Sequence, residues 1–493
     1  MDSKDLAKVI DFGAARFLSS TGATPSSQLD SLLIIRHGKI VAEAYYAPYA
    51  AGILHQVNSV TKAVTGTLIA IACQEGLLDS FNHKVLDFFN AREIANLDNR
   101  KEAITVQNLL DMTSGFAWIE LGAEETPSST LTELIPSSDW IKFILDRPMW
   151  NAPGTDFSYN SGNQHLLSAI LMKLSGKSTL DYAKEKLFGP LGINDLYWAE
   201  DPQGITTGGF GLFLHPRDMA KLGYLYLRNG MWEGKQLLPP AWIDKVNHAT
   251  IDMHLGQDLR YSNCFWARPE KHVYTATGYR GQLIMVFPEL DVVAVTTGRS
   301  NFSSNELADL ISESIKSDDP IPADEASTKL LAQKIRDVAS EKPTEVNPSS
   351  KAAAIVSGKV FHFPPNQINV RSLSLVLMGP EKRYEVEAYA GHGTKAGPRV
   401  TCPIGLDGLY RKSDFTDQNV NYPLSEAAPR IRAINAAKGT WVDDTTFVVD
   451  WRVLGLANSP DERWTLSFDG DKLSVRAKIG GRPEVSVEGH SGG

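Results

Sequence analysis

A serine and a lysine stand three residues apart at the head of an apolar stretch, Asn58-Ser-Val-Thr-Lys62, that runs on to Gly76. Val60, Ala63, Val64, Thr67, Leu68 and Ile71 keep the i, i+3, i+4, i+7 spacing of a buried helix, and Gly76 is a stop just past its end. Residues three apart share a helix face. Ser59 Oγ and Lys62 Nζ can therefore meet at the helix N-terminus, where backbone N–H groups and the dipole favour negative charge. A hydroxyl that must become an alkoxide suits that place. The plain alternative is a capping serine followed by a solvated lysine, and so short a motif does not choose between them.

The chemistry such a pair suggests is acyl transfer, in which serine attacks a carbonyl and lysine helps to remove its proton. A free lysine titrates at about 10.4 and a tyrosine at about 10, so burial or a neighbouring charge must shift one of them. A tyrosine set against the lysine meets both needs, because the cation favours phenolate and the pair can shuttle one proton. Phe157-Ser-Tyr-Asn-Ser161 offers Tyr159 and Ser161 from a loop above a helix N-terminus. The oxyanion needs a second backbone N–H opposite that of Ser59. Ala276-Thr277-Gly278-Tyr279, leading into the apolar run Gln282–Phe287, supplies it from Tyr279. Tyr261-Ser262-Asn263 is a competing match to the tyrosine motif, but it lies only just before Ala276 in a strand-like run. Trp118, Glu120, Glu124 and Glu125 follow a Thr113-Ser-Gly115 turn and either line a cleft or are exposed loop polarity. His55, His165, His215 and His272 lack metal-ligand spacing and read as loop or packing histidines, so neither a metal nor another cofactor is expected.

Several elements must hold these residues. Leu6, Val9, Ile10, Ala14, Phe17 and Leu18 mark a surface helix over 4–19, and Leu32–Tyr46 is a hairpin turning at His37-Gly38-Lys39. From Leu77 to about Asp201 strand signals fade and short helices dominate. One of these starts at Thr105 and closes at Gly115, and another runs from Ser161 to a stop at Gly176. Strands return after Trp266, with Gln282–Phe287 and Asp291–Thr297 flanking Pro288-Glu289, and Ser303-Ser-Asn-Glu306 opens a capped helix. Strands at both ends of some 300 residues bracket a helical middle. That predicts an α/β (α+β) fold whose sheet closes the N-terminal part onto the C-terminal part, with an all-α subdomain inserted over 77–201.

The chain of 493 residues is long enough for two or three domains. The expected division is a domain over 1–318 that carries the candidate acyl-transfer residues, a Pro-, Ser- and charge-rich linker with one short helix over 319–354, and a separate all-β sheet or barrel over 355–493. Arg371–Met378, Arg383–Tyr389, Thr440–Val449 and Arg463–Lys478 read as strands, with Asp469-Gly470 at a hairpin tip. A net charge of −9 gives no reason to expect nucleic acid, and no apolar run approaches the ~18–20 residues of a membrane span. Three scattered cysteines define no disulfide framework. The chain as written reads as cytoplasmic, or as periplasmic or secreted if a signal peptide has been removed; a homo-oligomer is compatible with it.

Ser59-x-x-Lys62, Tyr159-x-Ser161 and Ala276-Thr-Gly278 together resemble the three motifs of the serine β-lactamase and penicillin-binding-protein superfamily. Leu109–Gly115, Pro190–Ile193, Gly208–Leu212, Pro216–Met219 and Gly223–Gly230 match its surrounding text, over about residues 5–318. Within it, the chain is similar to the branch of class C β-lactamases, family VIII esterases and 6-aminohexanoate-dimer hydrolases. The resemblance implies a β-lactamase-like antiparallel sheet, Ser59 as nucleophile, Lys62 as its proton partner and Tyr159 as the base that later protonates the leaving group. It also implies an oxyanion hole of Ser59 N and Tyr279 N, with Ser161, Ala276, Thr277, Gly278 and Trp118 lining the substrate. Ala276 stands where a β-lactamase carries a lysine that helps to bind the β-lactam carboxylate. Ser161 stands where those enzymes often have asparagine, a pattern similar to the nylon-oligomer hydrolases. The implied substrate is a small or short peptide-like ester or amide. The alternatives are a penicillin-recognising D-amino-acid peptidase or weak β-lactamase, and a catalytically silent binding protein on the same fold.

Overall fold

The computed structural model describes the chain apart from residues 18–25, 90–93, 124–125, 257, 390–395, 414–415, 420–429, 458, 460, 481 and 493. Leu18, Glu124 and Glu125 thus lie outside the described residues. Eight strands form one antiparallel sheet, in the order Ile251–Asp252, Arg260–Ser262, Phe265–Arg268, Val273–Gly278, Gln282–Phe287, Val292–Gly298, Leu29–Arg36 and Lys39–Tyr45. The early hairpin docks on the late one, with Leu33 opposite Val295 and Arg36 opposite Val292.

The central strands read as unbroken apolar runs because both faces are covered. Alternate residues point to opposite faces. Leu283, Met285 and Phe287 meet the Ser3–Ala14 and Ser304–Glu313 helices, in a core with Leu6, Ile10, Leu307 and Ile311. Ile284 and Val286 face the other way, into a core with Val60, Val64 and Leu68 of the Val60–Gln74 helix. That helix is buried at every position from Val60 to Ala72, so it is covered all round rather than on one stripe, with Thr61, Lys62, Thr65 and Thr67 among its buried residues. The Ser161–Ser175 helix covers its far side and ends at Gly176 in the left-handed region.

Short helices fill the stretch between them. Thr105 caps Val106–Leu110 through a capping box with Asn108. The helix stops at Leu110 rather than continuing toward Gly115, because Asp111 turns to accept the Asn263 N–H at 3.0 Å and Met112 adopts φ +59.

Residues 319–354 carry two helices rather than one short one. Glu325–Ala339 is fifteen residues long, and its Leu331, Ile335 and Val338 fall on one face and join the core under the Ser3–Ala14 helix. Pro and charged residues around it conceal that stripe in the sequence.

The C-terminal part is a β-barrel. Its strands run in the order Ala396–Gly405, Arg383–Tyr389, Val370–Val376, Val360–His362, Val485–Ser491, Lys472–Ile479, Glu462–Asp469, Thr446–Leu454 and Arg430–Trp441. A parallel pairing of Ile404 with Ala437 closes the ring. Thr440–Val449, expected as one strand, is two strands and a turn. Asp443 accepts the N–H groups of Thr445 and Thr446 at 2.8 Å and folds the chain back. No described helix is long and apolar enough to cross a membrane.

Candidate active site

Ser59 occupies the N-cap position of the Val60–Gln74 helix, yet its side chain makes no capping hydrogen bond. Its Oγ instead accepts from Lys62 Nζ at 2.7 Å. Lys62 is only 1% exposed, and Nζ also donates to Gly209 O at 2.8 Å and lies 4.7 Å from the centre of the Tyr159 ring. Ser59, Lys62 and Tyr159, 100 residues apart at the extremes, are thus brought together.

The Gly209 carbonyl is a participant the sequence reading did not single out. Gly208 and Gly209 pass between the serine helix and the Ser161–Ser175 helix. A Cβ on Gly208 would lie 1.9 Å from Gln164 O, and one on Gly209 would lie 2.8 Å from Ser161 O. Only glycine lets the backbone pass so closely, and Thr65 Oγ1 fixes it by donating to Gly208 O at 2.8 Å. The signal was present in Gly208-Gly-Phe-Gly-Leu212, as a need for close approach rather than as a side-chain motif.

Tyr159 is 8% exposed and packs edge-on against Trp266, ring centres 6.1 Å apart. The next residue, Asn160, caps the Ser161–Ser175 helix by accepting the Asn163 N–H at 3.2 Å. Ser161 is buried and committed to Glu120: its N–H donates to Oε2 at 2.7 Å and its hydroxyl donates to Oε1. Trp118 Nε1 donates to the same Glu120 Oε2 at 2.7 Å, and its ring is buried. Glu120 therefore ties Trp118 to the loop that carries Tyr159, a role that loop polarity alone did not reveal.

The Val273–Gly278 strand pairs Ala276 with Ile284, Thr277 with Leu283 and Gly278 with Gln282. Ala276 is 1% exposed and belongs to the core shared with Val60, Ala63 and Val64, whereas Thr277 is half-buried. Gly278 is where the strand meets the chain entering Ser59, since a Cβ there would lie 2.4 Å from Val57 O. Asn58, at φ +47, donates from Nδ2 to Tyr279 O at 3.0 Å. Gln282 Nε2 braces the same turn, donating to Arg280 O at 3.1 Å and Gly298 O at 2.6 Å. These contacts set the Tyr279 backbone beside Asn58 and Ser59.

The competing Tyr261-Ser262-Asn263 match is placed differently. Tyr261 is fully buried, which pushes its phenol well above the ordinary tyrosine value, and Asn263 forms the turn to Phe265–Arg268 at φ +47. His165 and His215 pair with Asp201 and Asp195 at 2.9 and 2.8 Å, and His272 with Glu289 at 2.9 Å. Buried His55 donates from Nδ1 to Ile53 O at 3.0 Å, and burial holds its ring down to about 3.

A hydroxyl in contact with a buried amine and beside a phenol has the kind of groups that acyl transfer at a serine uses. Comparison with known proteins agrees on the fold and class. The Beta-lactamase family model matches residues 23–312. The 6-aminohexanoate-dimer hydrolase of Paenarthrobacter ureafaciens is 23% identical over 287 residues, 54% of this chain and 71% of that one. A Bacillus anthracis structure provisionally described as a 6-aminohexanoate-dimer hydrolase superposes with a TM-score of 0.51 at 23% identity, over 62% of this chain and 84% of that one. An octameric penicillin-binding protein homologue from Pyrococcus abyssi spans 93% of this chain and 96% of its own at 16% identity, with a TM-score of 0.48. The chain belongs to the Beta-lactamase family and is a serine hydrolase of that fold.

Proposed function

We propose that the protein cleaves a carboxylic ester or amide, of a small molecule or a short peptide-like oligomer, through an acyl-enzyme on Ser59. The observation that carries this reading is Lys62 Nζ, buried and held between Ser59 Oγ and Gly209 O beside the Tyr159 ring. Ser59 Oγ attacks the carbonyl carbon and its proton passes to the Lys62–Tyr159 pair. The tetrahedral oxyanion is held by Ser59 N–H and Tyr279 N–H. Its collapse breaks the bond to the leaving group, which takes a proton from Tyr159. Water then attacks the acyl-enzyme, gives its proton to Tyr159, and releases the carboxylic acid while Ser59 recovers its hydrogen.

A β-lactam ranks below linear substrates. Ala276 faces the serine helix and supplies no cation for a substrate carboxylate. The test is a parallel screen of p-nitrophenyl esters, linear amides, D-peptides and a chromogenic cephalosporin on wild type and Ser59→Ala. Ester or amide turnover and phosphonate labelling at Ser59 are expected, both lost in the variant. Full turnover by Ser59→Ala would overturn the reading, and dominant cephalosporin or D-peptide turnover would replace its substrate.

A further inference from the structure

The barrel touches the hydrolytic domain where the two proposed oxyanion donors are set. The Thr446–Leu454 strand ends at Gly455, whose carbonyl accepts the Gln56 N–H at 2.7 Å. Gln56 lies three residues before Ser59. Its neighbour Val57 donates in the opposite direction, to Leu212 O at 2.9 Å. The chain entering the nucleophile is therefore hydrogen-bonded on both edges, to its own domain on one and to the barrel on the other. The approach is close: Gly455 sits at φ +86, and a Cβ there would lie 2.1 Å from Leu54 O. Leu456 seals the contact in a small apolar cluster with Phe213, Val453, Leu54 and Tyr197.

The second grip is on the other donor. Arg280, directly after Tyr279, donates from Nη1 to Ala457 O at 3.1 Å, and its guanidinium lies 5.4 Å from the Tyr279 ring centre. The third grip lies behind both. Arg299 Nη1 pairs with Asp461 Oδ1 at 2.5 Å, and Arg452 of the barrel pairs with the same oxygen at 3.2 Å. Arg299 follows Gly298, whose carbonyl receives the Gln282 amide that also braces Arg280 O.

We infer that Gly455, Ala457 and Asp461 of the barrel are positioning residues for acyl transfer. They hold the Gln56–Ser59 and Tyr279–Arg280 segments at the separation that lets Ser59 N–H and Tyr279 N–H address one oxyanion. The inference rests on the acyl-enzyme reading above. It also gives the barrel a part in turnover, without requiring it to touch substrate.

The test uses the full chain. Arg280→Met keeps the stem and removes the hydrogen bond to Ala457 O; Arg280→Lys can restore a donor; Asp461→Asn weakens the third grip from a different residue. Misplaced oxyanion donors cost turnover more than binding. Arg280→Met is expected to lower kcat for p-nitrophenyl acetate and the rate of phosphonate labelling by about tenfold or more, with KM within about twofold. Arg280→Lys should recover much of that loss, and Asp461→Asn should lower kcat in the same sense. Hydrogen exchange at 54–58 and 278–281 should quicken in Arg280→Met, a readout that holds even if its turnover is too low to measure. Wild-type kcat, labelling rate and exchange in Arg280→Met and Asp461→Asn would overturn the inference. So would a loss carried by KM alone, which would make Arg280 a substrate contact. If phosphonate labels Ser59 in wild type at the same rate as in the variants, only this inference fails; if it does not label Ser59 at all, the acyl-enzyme reading itself fails.

Discussion

Charge is buried in two different ways in this molecule. In the cleft, Lys62 is held by a hydroxyl, a backbone carbonyl and the face of a phenol ring. Where the barrel meets the hydrolytic domain, Arg299 and Arg452 are held by the carboxylate of Asp461, with Asp30 beyond at 3.7 Å from Arg299. Neutral partners leave a cation able to give up its proton, because nothing nearby loses a full charge pairing when it does. An opposing carboxylate does the reverse and fixes the charge in place. The first arrangement suits proton transfer and the second suits holding two bodies together. Lys101 sharpens the contrast from inside the same domain. It is 0% exposed and donates to two carbonyls, Ala95 O at 2.7 Å and Leu145 O at 2.6 Å, but to no hydroxyl among its described contacts. Burial lowers its affinity for a proton, as the burial of an ammonium should. On the proposed acyl-enzyme reading, what separates the two lysines is the serine hydroxyl in contact with Lys62.

The largest expected effect breaks the comparison at that serine's partner. Lys62→Met keeps the length of the side chain and removes the proton acceptor. Ester turnover should fall by about a thousandfold or more, the upper part of the range for losing a general base. Its stability should also drop, by about 1–3 kcal/mol, because the Gly209 carbonyl and the Ser59 hydroxyl lose a donor. Lys101→Met should cost stability in the same range, because two carbonyls lose their donor, while turnover per folded molecule stays within a few-fold. If both variants lose activity equally, the distinction between the two lysines is gone.

Next in size is the interface. Arg299→Met removes one of the cations that face Asp30 and Asp461, deep between the domains. Removing one partner from a buried ionic cluster costs about 3–5 kcal/mol. Urea unfolding followed by tryptophan fluorescence should show that loss. A variant as stable as wild type would mean that these charges do not hold the barrel.

Which of these features could be read from the chain follows from how local they are. The Ser59–Lys62 contact is legible because three residues along a helix is a fixed geometry, and Gly176 and Thr105 mark helix ends by their own backbone and side-chain chemistry. Hairpins at His37-Gly38 and Asp469-Gly470 are legible for the same reason. The Gly209 carbonyl was hidden because a backbone acceptor has no residue type of its own. Glu120 was hidden because its partner Ser161 lies 41 residues away and nothing in either segment names the other. The Thr440–Val449 stretch misled because its β-branched residues outweighed the Asp443-Asp444 turn that divides it. The cluster of Asp30, Arg299, Arg452 and Asp461 was out of reach, drawn as it is from three distant segments and two domains.

The smallest expected effect separates two buried groups that face one another on the hydrolytic side of that interface. Burial pushes the Asp30 carboxyl up to about 6, outweighing the attraction of Arg299 and Arg452. Burial pushes His55, whose Nε2 lies 3.9 Å from Asp30 Oδ2, down to about 3. The two act on stability with opposite signs. Asp30 has a folded value above its unfolded one of about 3.9, so the folded state binds the extra proton and stability falls as pH rises from about 4 to about 6. His55 has a folded value below its unfolded one of about 6.5, so the unfolded state binds the extra proton and stability rises over about 3 to 6.5. Between about pH 4 and 6 the two slopes cancel. Asp30→Asn removes one of them. Measured against wild type at each pH, the variant should gain stability by about 1.4 kcal/mol per pH unit from pH 4 to 6, about 3 kcal/mol in all, and no more above that. Urea midpoints at half-unit steps would show it. A difference between the two proteins that does not change with pH would mean that Asp30 titrates alike in both states, and that the interface holds it as an ordinary carboxylate.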